Sequence, residues 1–223
     1  MAARLPLELI LLALAWAATL AVRPWRLLRS GAGPSALATP LLAAVTILPF
    51  LWAWPGWSAL PLALRWSGAP LAVLTLGWPL AVPVLTFAGL STMLTTGADL
   101  AQALSTLVWA GLLPATLVLV LGHAVRKGLG PHPVAYLFGR AFFVPMLSLA
   151  ACGFMAAAMG PGLNGPTAQL QHMAIALLAM GEASWSCAIV SLLVAYRPQW
   201  LATWSGSMQF RRPARVRAVT RRR

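Results

Sequence analysis

Residues 62–94 read LALRWSGAPLAVLTLGWPLAVPVLTFAGLSTML, and the way this run divides decides the fold. It carries a single charge, Arg65. One helix crossing about 30 Å of hydrocarbon needs about 20 residues, so the run is too long for one span. Its middle, Leu76-Gly77-Trp78-Pro79, joins two helix breakers to a Trp of the kind enriched at membrane–water interfaces. Divided there, the run supplies two spans, roughly 62–76 and 77–94. The first of them is short, and broken or partly re-entrant.

Outward from this point the same pattern repeats. Apolar runs cover roughly 5–22, 36–54, 101–122, 134–159 and 170–195. Gly/Pro-rich breaks separate them at Gly31–Pro34, Pro55-Gly56, Gly130–Pro133 and Gly160–Pro166. The first run is flanked behind by Arg23, Arg26 and Arg29, whereas a cleaved signal peptide carries its charges in front; it is read as an uncleaved first span. Seven spans result. With the C-terminus inside and the N-terminus outside, thirteen of the sixteen basic residues fall on the inner side, as the positive-inside rule asks. Six spans would turn Arg23, Arg26 and Arg29 outward. The expected architecture is therefore an all-α polytopic bundle, residues 1–196, followed by a basic cytoplasmic tail, 197–223.

Composition agrees. The 223 residues are 60% hydrophobic and 9% charged, with mean hydropathy +0.81. Soluble domains average about 45–50% apolar and about 25% charged, so lipid is the expected solvent. The unbroken apolar runs exclude a transmembrane β-barrel, which alternates apolar and polar residues. The net charge of +13 is concentrated at the end of the chain, where eight of the sixteen basic residues lie in 197–223. A tail of that kind suits anionic lipid, and no folded platform with stacking aromatics accompanies it to suggest nucleic acid. Eleven Trp residues suggest interfacial belts. Trp52, Trp54, Trp57 and Trp66 fall at one expected interface, Trp25, Trp200 and Trp204 at the other, and Trp109 and Trp185 read as core.

Few residues offer chemistry. No G-x-x-x-x-G-K-[ST] phosphate loop, His-Glu-x-x-His or Gly-x-Ser-x-Gly is present. The chain is read as no enzyme and as needing no cofactor. Glu182, near the centre of the last span, is the most informative residue. A charge at that depth costs about 2.5–3.5 kcal/mol or more, so the side chain should face the bundle interior or a cavity. It reads either as part of a substrate path or as a carboxyl bonded to a neighbouring helix, with Arg140 as a candidate partner. His172, near the outer end of the same span, and Arg65 complete the candidate path. Cys152, Met155 and Met159 share one face of the sixth span, and Met173, Met180 and Cys187 recur every seven residues on the seventh. Sulfur ligands suit a soft cation, although Met in an apolar helix is more often packing filler. Ala13, Ala17 and Ala21 form a small-residue seam on the first span, a spacing that lets two membrane helices approach closely.

Several stretches carry a family resemblance: Arg23-Pro-Trp-Arg-Leu-Leu28, the Gly77-Trp-Pro-Leu-Ala81 break, Tyr136-Leu-Phe138 with Phe142-Phe143, and Ser191-Leu-Leu-Val-Ala-Tyr-Arg-Pro-Gln-Trp-Leu-Ala-Thr203. Through them the chain resembles the proteobacterial branch of the CbiM-like permeases, the substrate-capturing subunits of energy-coupling-factor ABC importers for cobalt and nickel. The resemblance implies seven helices, an outward N-terminus, and docking to a coupling transmembrane subunit and cytoplasmic ATPases. Glu182-Ala183 matches a glutamate and small residue of the family's last span, and the Ala13, Ala17, Ala21 stripe falls where related subunits dock. Metal-binding members begin Met-His and carry a further His before the third span. This chain has Met1-Ala2 and Arg65 there, so the family's metal ligands carry over to no residue.

The expectation is thus a permease subunit of such an importer in the bacterial inner membrane, moving a transition metal ion or another solute. Its partners would be lipid, a coupling subunit and ATPases supplied in trans. The alternative is a non-transporting membrane scaffold or assembly factor.

Overall fold

The computed structural model describes residues 5–30, 33–54, 65–159 and 165–204. The N-terminal Met1-Ala2, Trp57 and the tail beyond 204 lie outside the described residues. The fold is all-α. Seven helices follow one another among the described residues: α1 Leu5–Val22, α2 Ala38–Trp52, α3 Ala69–Leu76, α4 Trp78–Thr95, α5 Leu100–Leu129, α6 Ala135–Ala158 and α7 Pro166–Tyr196. A two-residue antiparallel pairing, Arg29–Ser30 with Gly33–Pro34, closes the turn between α1 and α2.

Five of these, α1, α4, α5, α6 and α7, are long and apolar enough to cross a membrane. α2 is shorter, with 15 residues, and α3 has only eight. At 1.5 Å per residue α3 is about 12 Å long, far less than a bilayer core. The expected third span is therefore a half-helix. Seven of its eight residues are buried. α4 packs along it and along α1, α2 and α5, and contributes Leu80, Ala81, Val82, Val84, Leu85 and Ala88 to the core.

The break between α3 and α4 falls at Gly77, as the sequence indicates. Its backbone sits at φ 77°, ψ 156°, a conformation closed to L side chains. Pro79 then lacks the N–H that would bond Thr75 C=O in a continued helix. The chain beyond α7 supplies that bond: Ala202 N–H donates to Thr75 C=O at 2.8 Å, and Thr203 Oγ1 donates to Leu74 C=O at 2.8 Å. Leu201 is buried alongside. The folded unit thus continues through residue 204, past the boundary at 196 that hydropathy suggests.

The outer surface is apolar. Phe50, Leu94, Val120, Phe138, Leu147 and Leu177 all stand exposed. In water such a surface would be a liability; against hydrocarbon it is the expected contact face.

Candidate functional site

The polar centre of the bundle is built around residues 65–68, immediately before α3. Glu182, midway along α7 and 2% exposed, faces this segment. Its Oε2 accepts from Ser67 N–H at 2.8 Å, and its Oε1 from Gly68 N–H at 2.7 Å. Gly68, at φ 67°, turns the chain so that consecutive amides point at one carboxyl group. These two amides immediately precede α3, at the positive end of its dipole, and the first helical amide, Ala69 N–H, is met by Ser67 Oγ at 3.1 Å. A carboxyl placed there caps α3 from another helix, 114 and 115 residues away in sequence.

Two further bonds fix the same segment. Trp52 Nε1 donates to Ser67 C=O at 2.8 Å, and Ser67 Oγ donates to Ala110 C=O at 2.5 Å. Ala110 lies in a π-helical turn, Leu107–Leu112, within α5. Its usual α-helical donor would be the N–H four residues on, but that residue is Pro114. The Ser67 hydroxyl serves the carbonyl that proline leaves open, as side chains do for broken helices in membranes. α3 is thereby held at its start by Glu182 of α7 and at its finish by Ala202 and Thr203, from the segment that follows α7.

The candidate path residues are placed as follows. Arg65 is half-buried, and Nη1 donates to Thr106 Oγ1 at 2.9 Å; it lies two residues from the Glu182 contact but is engaged elsewhere. His172 is exposed, with its ring against Phe154 at 5.6 Å between centroids. It sits ten residues from Glu182 on one helix, about 15 Å along the axis, so the three residues do not converge.

Arg140 is not the partner of Glu182. α6 and α7 run antiparallel: Cys187 Sγ meets Leu137 C=O at 3.6 Å, and Gly153 packs on Ile175. That register sets Arg140 level with about Trp185. Side chains lean toward the N-terminus of their own helix, so in antiparallel helices Arg140 and Glu182 lean apart. The Arg140 guanidinium lies over the Tyr136 ring, 5.9 Å from its centroid.

The sulfur stripes do not gather. Met155, Met159, Met173 and Met180 are exposed on the outside of the bundle, Cys152 is buried, and Cys187 is half-buried on Leu137. Among the described residues no three His, Cys, Asp or Glu side chains come together. Ala13, Ala17 and Ala21 are all exposed; α1 packs inward through Glu8, Leu12, Ala15, Trp16 and Thr19 instead.

Trp52 is 1% exposed, so it belongs to the core and not to an interfacial belt. Its indole nitrogen has an internal carbonyl to bond, which relieves the need for water. Trp109 is core, as expected, but Trp185 is 63% exposed. Sequence reasoning passed over Glu8, which stands near the start of the first apolar run. It is buried, and accepts from Trp109 Nε1 at 3.1 Å. It also passed over Ser67; the signal available for Ser67 was Pro114, which announces an unpaired carbonyl at Ala110.

Comparison with protein-family models, with curated proteins and with solved structures finds no match for this chain.

Proposed function

We propose that the chain is the membrane-embedded, solute-handling subunit of a multi-component importer whose ATPases are separate chains. The observation that carries this reading is the half-helix α3, buried in the bundle with its N-terminal end at mid-length of α7 and closed by Glu182. Discontinuous helices ending near the bilayer midplane are the recurrent binding elements of transporters. They impose a cost that a purely structural bundle has no reason to carry, since irregular backbone at that depth needs every polar group satisfied by neighbours.

On this reading α3 is the moving part. Gly68 and Gly77, both at positive φ, flank it as hinges. Solute capture from the outer side exchanges the two amides on Glu182 for solute, and the partner ATPases drive the return. The inner side is that of Arg126, Lys127 and Arg197, which share one end of the bundle because Tyr136 Oη meets Thr203 Oγ1 at 2.7 Å. On this reading the chain sits in a bacterial inner membrane with its N-terminus outward. A transition metal ion as solute rests on the resemblance to CbiM-like permeases alone.

A second reading, a non-transporting scaffold, draws on two observations: Glu182 is fully engaged within the chain, and the Ala13, Ala17, Ala21 face is uncovered. The test is uptake in cells alongside purification from detergent. Loss of uptake in Glu182→Ala at normal membrane abundance, with ATPase and coupling subunits co-purifying with the wild type, supports the importer. Full uptake in Glu182→Ala removes Glu182 from the path, and a wild-type chain that purifies with other partners favours the scaffold.

A further inference from the structure

A second polar region lies where α5 ends and α6 begins. Arg126, in the last turn of α5, and Arg140, on α6, open onto one recess together with Gly130, His132, Ala135 and Tyr136. The recess holds about 210 Å³ of space, its open mouth included. Most of that space is open to solvent and the enclosed part is about the size of one water molecule, so an anion would sit at the mouth of the recess.

Arg140 is only 7% exposed, yet its Nε has no hydrogen-bond partner. A buried guanidinium ordinarily has a carboxylate beside it. None is available in this chain. Its three acidic residues are Glu8, which bonds Trp109, Asp99, which caps α5 through Gln102 N–H, and Glu182, which caps α3. The side chain is largely buried, but only its Nε is sealed from solvent without a partner; the end of the guanidinium faces the open recess. Room for it is built into the facing helix: a Cβ at Gly122 would lie 2.9 Å from Arg140 Nε. Gly122 thus reads as a cradle for the guanidinium.

The surroundings also favour negative charge. Ala135 brings the first turn of α6, with its free amides and positive dipole end, to the recess. Arg126 is exposed and offsets the carbonyl end of α5, with a fork left to spare for a ligand. The loop 130–134 joins two membrane-length helices, so the recess lies at the level of lipid phosphates.

We infer that this recess is a binding site for a phosphate-type oxyanion, held between the guanidinium groups of Arg140 and Arg126 at the N-terminus of α6. The phosphate group of an anionic phospholipid and free phosphate share this chemistry. The full chain, purified in neutral detergent, is titrated with inorganic phosphate and separately with dioctanoyl phosphatidylglycerol, and binding is followed by phosphorus NMR line broadening. The wild type is expected to bind at least one probe. Arg140→Gln and Arg126→Gln should each weaken that binding about tenfold or more, the loss of a hydrogen bond to a charged group. Gly122→Ala should weaken it without removing any charge, and Arg197→Gln should leave it unchanged. Binding of the lipid alone identifies a headgroup site; equal binding of both identifies a free-phosphate site. The inference is overturned if neither probe binds, if Arg140→Gln binds as the wild type does, or if Arg197→Gln loses as much as Arg140→Gln, which would mark diffuse surface charge.

Discussion

The start of α3 and the recess beside α6 are two polar places in a largely apolar bundle, and they are built in opposite ways. At α3 the protein supplies both halves of every interaction: Glu182 for two amides, Trp52 for Ser67 C=O, Ser67 for the carbonyl that Pro114 leaves open. At the recess it supplies one half only. Arg140 is largely buried, its Nε is unpartnered, and none of the three acidic side chains of the sequence bonds it. A closed site of the first kind holds the fold together and can open only at a cost. An open site of the second kind contributes little to the fold and leaves its charge for something outside the chain.

The contrast predicts a ladder of stabilities, measured by reversible unfolding in bicelles or neutral detergent. Glu182→Ala stands at the top. It strands two buried amides, each worth about 1–3 kcal/mol when left unsatisfied, so a loss of about 3 kcal/mol or more is expected. Glu182→Gln should fall between, because an amide offers one acceptor oxygen and turns its NH2 toward the second donor. A Glu182→Ala chain as stable as the wild type would break the comparison at its strongest point.

Ser67→Ala comes next, at about 1–2 kcal/mol, since it strands the Ala110 carbonyl. The same carbonyl regains a helical donor in Pro114→Ala. A double-mutant cycle should therefore show Ser67→Ala costing markedly less in the Pro114→Ala background. Equal costs in both backgrounds would mean that the hydroxyl is not replacing the missing proline N–H. Smallest of all is Arg140→Met. A buried charge without a partner inside the chain is often neutral or unfavourable relative to an apolar side chain of similar volume. The expected change is within about 1 kcal/mol, in either direction, in neutral detergent. A loss as large as that of Glu182→Ala would show that the two regions do the same work.

How far these places were legible differs in an instructive way. The break at Gly77 and the shortness of the segment before it were readable, because Gly and Pro act locally on the backbone. That Glu182 turns inward was also readable, because lipid forbids the alternative. Its partner was not. Arg140 was the obvious cation, and helix geometry turned the two apart; the amides that do meet Glu182 belong to backbone, which leaves no mark in a sequence. Trp52 looked like an interfacial residue and Glu8 drew no reading, since both stand near the ends of apolar runs. Each is buried because a distant residue offers its polar atom a bond: Ser67 C=O for Trp52, Trp109 for Glu8. The methionine stripes were periodic and pointed outward all the same.

What the amino-acid order determined alone is the solvent and the segmentation: a helical chain surrounded by hydrocarbon, cut into pieces by glycine and proline, with its basic residues gathered at particular breaks. These follow from hydropathy and from backbone restrictions that act over a few residues. Which face of each helix turns inward, and which polar groups meet, only the tertiary structure decided. In a water-soluble protein an amphipathic stripe would have announced the inner face. Here α1, α4 and α7 are apolar nearly all round, so the pattern that would reveal their orientation is absent, and a few long-range hydrogen bonds settle it instead.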